Sequence, residues 1–100
     1  MKYHGIEFER DKIAAFCRRN RLNRLSLFGS ILRDDFGPDS DIDLLVEFAP
    51  DARVSLFELG GMQMELSEML GRQVDLKTPG FIDDRILRLV RRASEVLHAA

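Results

Sequence analysis

The stretch of residues 25–48, LSLFGSILRDDFGPDSDIDLLVEF, places two short apolar runs on either side of a polar turn. Residues 25–28 and 41–48 have the length, apolar content and flanking turn residues that predict buried strands. Because side chains alternate faces along a strand, Asp41 and Asp43 point to the same side, with their Cα atoms roughly 7 Å apart. Two carboxylates placed in this way are suited to holding divalent cations.

A Gly-Ser pair follows the first of these runs. Gly29 ends the predicted strand, and Ser30 is a candidate N-cap for a short helix over residues 31–33. Glycine lets the backbone approach a ligand closely, and the N–H groups at a helix start attract phosphate oxygens. A phosphate-binding turn beside a carboxylate pair predicts phosphoryl or nucleotidyl transfer.

With this spacing the stretch resembles the nucleotidyltransferase superfamily of DNA polymerase beta, whose signature is Gly-Ser, a spacer and Asp-x-Asp. It is more closely similar to the minimal nucleotidyltransferases (MNT), the MntA-like antitoxins encoded beside HEPN-domain partners in prokaryotic toxin–antitoxin pairs. The matching residues are Phe28-Gly29-Ser30, Arg33 and the run SDIDLLV at residues 40–46. That subfamily usually has a glycine after the arginine, where this chain has Asp34.

Length and composition limit the class of protein. One hundred residues, 45% of them hydrophobic, predict a single domain over residues 1–100 with one modest core. A formal net charge of −2 and a pI near 5.6 argue against broad nucleic-acid binding. The chain has neither an apolar run long enough to span a membrane nor the apolar centre of a signal peptide. The lone Cys17, predicted to be a core residue, cannot form an internal disulfide, and we expect a cytoplasmic protein.

Three longer helices are predicted around the strands. The first covers residues 8–20, the second runs from the N-cap Ser55 to a left-handed C-cap at Gly71, and the last covers residues 81–98. The second helix has a predicted apolar stripe of Leu56, Leu59, Leu66 and Leu70, flanked by Phe57 and Met69. The last has a predicted apolar face of Ile82, Ile86, Leu89, Val90, Ala93 and Leu97.

A third strand is predicted over residues 73–77, with Val74 and Leu76 on its buried face and Asp75 opposite them. Taken alone, Asp75 is an ordinary exposed strand aspartate. By resemblance it is the third carboxylate of the superfamily, in the Gly-Arg-x-Val-Asp-Leu context typical of the subfamily. The element order predicts an α/β arrangement, and the resemblance implies a small mixed β-sheet with helices packed against it.

The resemblance also implies the roles of the site residues. Catalytic residues and metal ligands would be Asp41, Asp43 and Asp75, and the nucleotide would be bound by Gly29, Ser30 and Arg33. In the superfamily's scheme, one Mg²⁺ ion at Asp41 and Asp43 holds the triphosphate of ATP. A second ion, shared with Asp75, activates the acceptor hydroxyl. Arg33 pairs either with substrate phosphate or with a nearby carboxylate as a brace.

The sequence has no obvious second domain to hold an acceptor, so a partner protein is expected to complete the site. The resemblance implies a HEPN-domain ribonuclease toxin as this partner, in a hetero-oligomer. AMP from ATP would be transferred to a toxin hydroxyl, typically of a tyrosine, and would silence the toxin. Two alternatives remain open: neutralisation of a partner by binding alone, and transfer to a small molecule.

Three further groups of residues have competing interpretations. The cluster of Arg18, Arg19, Arg21 and Arg24 is either a solvated helix end or a docking patch for a nucleotide or an acidic partner. Met62, Met64 and Met69 are either core gap-fillers or a partner-binding stripe. Asp34, Asp35 and Asp39 have the chemistry of metal ligands but are predicted to be turn formers outside the site.

Overall fold

The computed structural model describes residues 1–100, which form three α-helices and six β-strands. The helices are α1 (Arg10–Arg19), α2 (Leu56–Leu70) and α3 (Asp84–Ala93). The strands are β1 (Lys2–Tyr3), β2 (Ile6–Glu7), β3 (Leu22–Phe28), β4 (Ile42–Phe48), β5 (Val74–Lys77) and β6 (Glu95–Ala99). Two 3₁₀ turns, Gly29–Leu32 and Pro79–Phe81, follow β3 and β5.

Four strands form one mixed sheet in the order β5-β4-β3-β6. Strand β4 is parallel to β5, and β3 is antiparallel to both β4 and β6. The parallel pair is joined through α2, as expected because parallel strands need a long crossover. Strands β1 and β2 form a separate antiparallel hairpin. The predicted mixed sheet with packed helices is confirmed.

The two faces of the sheet have different roles. On one face, apolar side chains of β3 and β4 lie in the main core cluster with buried side chains of α1 and α2, among them Leu25, Leu27, Ile42, Leu44, Val46, Ile13, Phe16, Cys17, Met62 and Leu66. The opposite face of β4 carries Asp43, Leu45 and Glu47. Helix α3 lies on this second face, where Arg91 donates a hydrogen bond to Glu47 Oε1. The carboxylate pair and α3 therefore share a face.

Helix α2 has its predicted ends, and its predicted apolar stripe is confirmed at Leu66 and Leu70 and wrong at Leu56, which is exposed. Ser55 Oγ accepts a hydrogen bond from the Glu58 N–H at 3.1 Å, and Gly71 is left-handed with φ +69°. The buried side chains are Met62, Leu66 and Leu70, so Met62 is a core residue while Met64 is exposed. Phe57 is 92% exposed because it lies about 180° around the helix from Leu66.

The predicted last helix, residues 81–98, is wrong at both ends. Helix α3 ends at Ala93, Ser94 is extended, and β6 pairs with β3 from Leu27↔Glu95 to Arg24↔Ala99. Five residues are too few for periodicity to separate helix from strand, and the open edge of β3 supplies hydrogen-bond partners that the sequence pattern does not show. The predicted apolar face is also wrong, because Leu87 is the buried residue of α3.

Two smaller observations complete the fold. Cys17 is fully buried, as predicted, and burial raises the pKa of its thiol to about 11. None of the helices has both the length and the apolar character needed to cross a membrane.

Candidate active site

Three carboxylates lie near one another at the end of the sheet where β4 begins. The strand starts at Ile42, one residue later than predicted, so Asp41 lies immediately before it. The buried Ile42 donates its N–H to the Gln73 carbonyl at 2.9 Å, which ties the start of β4 to the approach of β5. Asp43 then pairs in register with Asp75 of the parallel neighbour. The predicted trio is therefore brought together at one end of two adjacent strands.

Gly29 is in close contact with Asp43. Phe28, the last residue of β3, is in register with Asp43, and Gly29 turns the chain with a φ of +78°. A Cβ atom at Gly29 would lie 2.3 Å from Asp43 Oδ2. Both the left-handed backbone and the missing side chain are thus required here. The spacing between the Gly-Ser pair and Asp-x-Asp places the turn directly against the second carboxylate.

Ser30 lies beside this glycine and does not cap a helix, contrary to the prediction. The 3₁₀ turn begins at Gly29, Phe28 occupies the cap position, and no side chain caps the turn. The Ser30 carbonyl accepts a hydrogen bond from the Arg33 N–H at 2.9 Å, which closes the turn. The half-buried Ser30 therefore belongs to the turn next to the carboxylates.

Arg33 is paired with a carboxylate outside the trio. Its Nε lies 3.1 Å from Asp35 Oδ1, and both side chains are more than half exposed. Exposed pairs of this kind are worth about 0–1 kcal/mol, so the guanidinium can exchange this partner for an anion at little cost. The brace interpretation describes the structure without a nucleotide, and phosphate pairing stays a prediction.

The electrostatics of the site are dominated by Asp43. Burial raises the pKa of its carboxyl above the ordinary value, and the charges of Asp75 and Asp41 raise it further. Lys77 and Arg33 lower the same pKa. Lys77 Nζ also lies 3.3 Å from Asp75 Oδ2, in a pair that is nearly half exposed. Negative charge is therefore concentrated at this edge and only partly balanced by two cations.

The donor set of the trio fits a divalent cation that prefers oxygen ligands. The raised pKa of Asp43 shows that its ionised carboxylate is destabilised by burial and by the neighbouring negative charges. A bound cation would stabilise this ionised form. In the present side-chain positions no three such groups are close enough together to hold an ion. Lys77 holds one oxygen of Asp75 in an exposed pair of a kind that is weak, so this pair opposes closer approach of the three carboxylates only slightly.

Arg72 is a residue of the site region whose role the sequence did not reveal. Its Nη2 donates to the carbonyls of Gly37 at 2.8 Å, Pro38 at 3.3 Å and Ser40 at 2.6 Å. The guanidinium carbon also lies 4.6 Å from the centroid of the Phe36 ring. Arg72 thus fixes the loop that leads into the first carboxylate. Its partners are backbone carbonyls more than thirty residues away, and the only signal was its place in the Gly-Arg-x-Val-Asp-Leu context.

Comparison with known proteins adds a family to this geometry. The family described as nucleotidyltransferase domain matches residues 10–97. A protein of Methanocaldococcus jannaschii, named "putative protein adenylyltransferase", is 37% identical over 87 residues. That alignment covers 86% of this chain and 91% of the relative.

Solved structures share the fold. A toxin–antitoxin structure with AMP-PNP has a TM-score of 0.74 and 23% identity, covering 93% of this chain and 75% of that chain. A structure of tri-AMPylated Shewanella oneidensis HEPN toxin in complex with MNT antitoxin has a TM-score of 0.66 and 22% identity, covering 91% of this chain and 70% of that chain. Since the family match covers most of the sequence and the archaeal relative aligns along nearly its whole length, this chain belongs to the nucleotidyltransferase family of enzymes.

Proposed function

We propose that this chain is a Mg²⁺-dependent adenylyltransferase that moves AMP from ATP to a hydroxyl of a partner protein. The partner is a HEPN-domain toxin, and the chain is the antitoxin of the pair in the cytoplasm. The observation that carries the proposal is the contact between Asp43 and Gly29, with Asp75 in register beside them, in a member of the nucleotidyltransferase family. The name of the archaeal relative supports a protein acceptor.

Asp41, Asp43 and Asp75 are the residues that would hold Mg²⁺. When bound, such ions neutralise phosphate charge and lower the pKa of an acceptor hydroxyl. The three carboxylates would place such an ion at the start of β4, next to the Gly29 turn. Because Asp43 is partly buried and fixed against Gly29, its direction is set by the fold. The exposed Asp41 and the partly exposed Asp75 are free to adjust.

The turn at Gly29 and Ser30 would position the triphosphate. Without a side chain at Gly29, phosphate oxygens can approach the turn backbone and the carboxylate of Asp43 together. Arg33 follows on the same turn, and its guanidinium can leave Asp35 for a phosphate oxygen. Arg72 holds the adjacent loop and acts as a positioning residue.

The reaction is a displacement at the α-phosphorus. The acceptor oxygen forms a bond to that phosphorus, and the bond to the oxygen bridging the α- and β-phosphates breaks. Pyrophosphate carries away the bonding electron pair, and the acceptor proton passes to solvent. The AMP group remains on the partner as a phosphodiester.

The exposure of the site suits an acceptor delivered by another protein. Asp41 is exposed and the side chain of Asp75 is 43% exposed, so an external hydroxyl can reach the carboxylates directly. The structural neighbour that contains a tri-AMPylated HEPN toxin with MNT antitoxin supports a toxin of this class as the acceptor. Transfer to a protein hydroxyl accounts for an open site better than a small acceptor, which needs an enclosing pocket.

The test uses ATP labelled at the α-phosphate, Mg²⁺ and the purified product of the adjacent reading frame. Label is expected on that protein, and none is expected when the label is at the γ-phosphate. Asp43→Asn, which removes the charge while keeping the shape, should abolish labelling. Asp39→Asn is the matched control, since Asp39 is an exposed loop aspartate without an ion pair.

The outcomes separate the candidate functions. Label lost in Asp43→Asn and kept in Asp39→Asn supports protein adenylylation. A stable, unlabelled complex that neutralises the partner, formed equally by Asp43→Asn, means that binding alone is the function. Label on a small acceptor and none on the protein means that the acceptor class is wrong.

A further inference from the structure

Helix α3 exposes apolar side chains that the periodicity of its sequence predicts to be buried. Leu89 is 63% exposed and Ile86 is 54% exposed, whereas Leu87 is the buried residue of the same helix. Arg91 anchors the same inner side by its hydrogen bond to Glu47. Thus α3 is held to the sheet by one side and presents a second apolar side to solvent.

Arginines flank these apolar side chains. Arg85, Arg88 and Arg92 follow one another at helical spacing on the outer side of α3, and none of them forms an ion pair. Together with Leu89 and Arg91 they line an open depression of about 480 Å³. We call the outward residues Arg85, Ile86, Arg88, Leu89 and Arg92 the α3 surface.

The charge of the α3 surface selects the kind of occupant. In a twofold dimer the same patch meets itself, so a second copy would place these arginines against one another. A nucleic acid is a poorer match, because the apolar Leu89 and Ile86 lie among the arginines and would face its phosphates. The formal net charge of the whole chain, −2, also disfavours a nucleic acid. A protein surface with apolar side chains flanked by carboxylates can cover Ile86 and Leu89 and also form ion pairs with the arginines of the α3 surface.

The position of α3 links this surface to the candidate active site. The hydrogen bond from Arg91 to Glu47 places α3 on the sheet face that also carries Asp43, with Glu47 four residues, roughly 13 Å, along β4 from Asp43. After α3, Glu95 pairs with Leu27 of β3, whose other neighbour is Leu44 of β4. The start of β6 is therefore two strand spacings from β4, roughly 10 Å, close to the level of Asp43.

We propose that the α3 surface is the docking site for the acceptor protein, which binds through apolar side chains flanked by Asp or Glu. The inference rests on the proposed protein acceptor and adds where that acceptor binds. A protein seated on α3 can extend along the same face of the sheet and present a hydroxyl towards Asp43. Binding energy gained at α3 then serves to orient the acceptor.

The first experiment measures the affinity of the full chain for the adjacent-frame product by calorimetry. Ile86→Ser with Leu89→Ser should weaken Kd by at least about tenfold, because both side chains lose apolar burial in the complex. Met64→Ser is the matched control: Met64 is 67% exposed on α2, in the layer on the other face of the sheet. An unchanged melting temperature in each variant shows that the fold is intact.

The second experiment reverses charge on the same surface. The triple variant Arg85→Glu, Arg88→Glu and Arg92→Glu should slow association by about tenfold at low salt, and the difference should shrink as salt is added. Arg18→Glu on α1 is the control, since it reverses an exposed arginine of the other basic cluster that forms no ion pair.

The results distinguish failure of the docking site from failure of the proposed reaction. Weaker binding and a higher KM for the acceptor in the α3 variants, with normal controls, support the docking site even where no AMP is transferred. Transfer of AMP with unchanged Kd and KM in the α3 variants overturns it and leaves the proposed reaction standing. Weakening by Arg18→Glu alone, or a labelled RNA oligonucleotide competing at α3, also overturns it.

Discussion

Replacing Gly29 with alanine perturbs the site through a single added methyl group. The residue has a φ of +78°, and left-handed backbone costs an L-residue about 1–2 kcal/mol. The new Cβ would lie 2.3 Å from Asp43 Oδ2, so the carboxylate must move by about 1 Å to reach ordinary contact. Partial compensation of about 0.4–1 kcal/mol comes from the stiffer unfolded chain.

Gly71→Ala is the matched control for this substitution. Gly71 has a similar φ of +69°, but a Cβ there would meet nothing within 4 Å. Both variants share the backbone strain, and Gly29→Ala alone displaces the carboxylate. We expect Gly71→Ala to lose about 1 kcal/mol and Gly29→Ala about 2 kcal/mol, which is about 4–8 °C in Tm per kcal/mol for a domain of this size.

Activity should separate the two variants more sharply than stability. A displacement of about 1 Å in a catalytic group costs on the order of 100-fold in rate, so Gly29→Ala should lose labelling while Gly71→Ala keeps it. Thermal unfolding and transfer from α-labelled ATP, measured below the Tm of both variants, provide the comparison. Equal activity in the two variants would refute the assigned contact.

A double-mutant cycle tests the contact without relying on activity. In Asp43→Ala the carboxylate is gone and the nearest remaining side-chain atom, Cβ, lies 3.4 Å from the new methyl. Adding Gly29→Ala to that background should cost only the strain seen in Gly71→Ala. An unchanged cost of Gly29→Ala in both backgrounds would show that the carboxylate does not oppose the methyl group.

Four further predictions concern stability, three of them at the site and one in α2. Because the folded state raises the pKa of Asp43, its ionised form opposes folding at pH 7, and this cost disappears as pH falls below the ordinary carboxyl pKa. Asp43→Asn should therefore raise Tm at pH 7 without Mg²⁺, and its advantage over the wild type should shrink as pH falls through the raised pKa of Asp43. In the wild type, Mg²⁺ at 100 times its Kd should add about 2.7 kcal/mol, and this gain should shrink in the variant, as thermal scans can show. Arg72→Ala should cost about 2 kcal/mol and lower the rate of AMP transfer. Arg72→Lys should restore only part of both, because an ammonium can donate to the loop carbonyls but lacks the planar guanidinium that lies over the Phe36 ring. Gly60→Ala should raise stability by about 0.5–1 kcal/mol in urea unfolding, since Gly60 is an exposed position inside α2 with open space around it.

The sequence predicted the central strands and α2 well because their signals are local. Alternating apolar residues define β4, and the Ser55 cap and Gly71 define α2 by backbone chemistry that depends on neighbours in sequence. The hairpin β1–β2 and strand β6 were missed, since both depend on pairing partners and carry little pattern of their own. Residues 95–99 form a strand because they pair with β3, and this pairing cannot be read from the sequence pattern of those five residues alone.

The candidate site was predictable in composition and less so in contacts. Spacing along β4 places Asp41 beside Asp43, and the parallel neighbour adds Asp75. The closeness of Gly29 to Asp43 is a tertiary fact, because it depends on β3 and β4 pairing up to Phe28. The role of Arg72 could not be predicted from the sequence for a related reason. Its hydrogen-bond acceptors are backbone carbonyls, and because every residue has one, the sequence does not indicate which of them Arg72 contacts.

Helix α3 shows where periodicity alone misleads. Its apolar spacing predicted a core helix, yet Ile86 and Leu89 are exposed and Leu87 is the buried residue. Periodicity alone does not show which surface, if any, covers an apolar face. The exposed Ile86 and Leu89 are therefore free to contact a second protein, as we propose, from the sheet face that also carries Asp43.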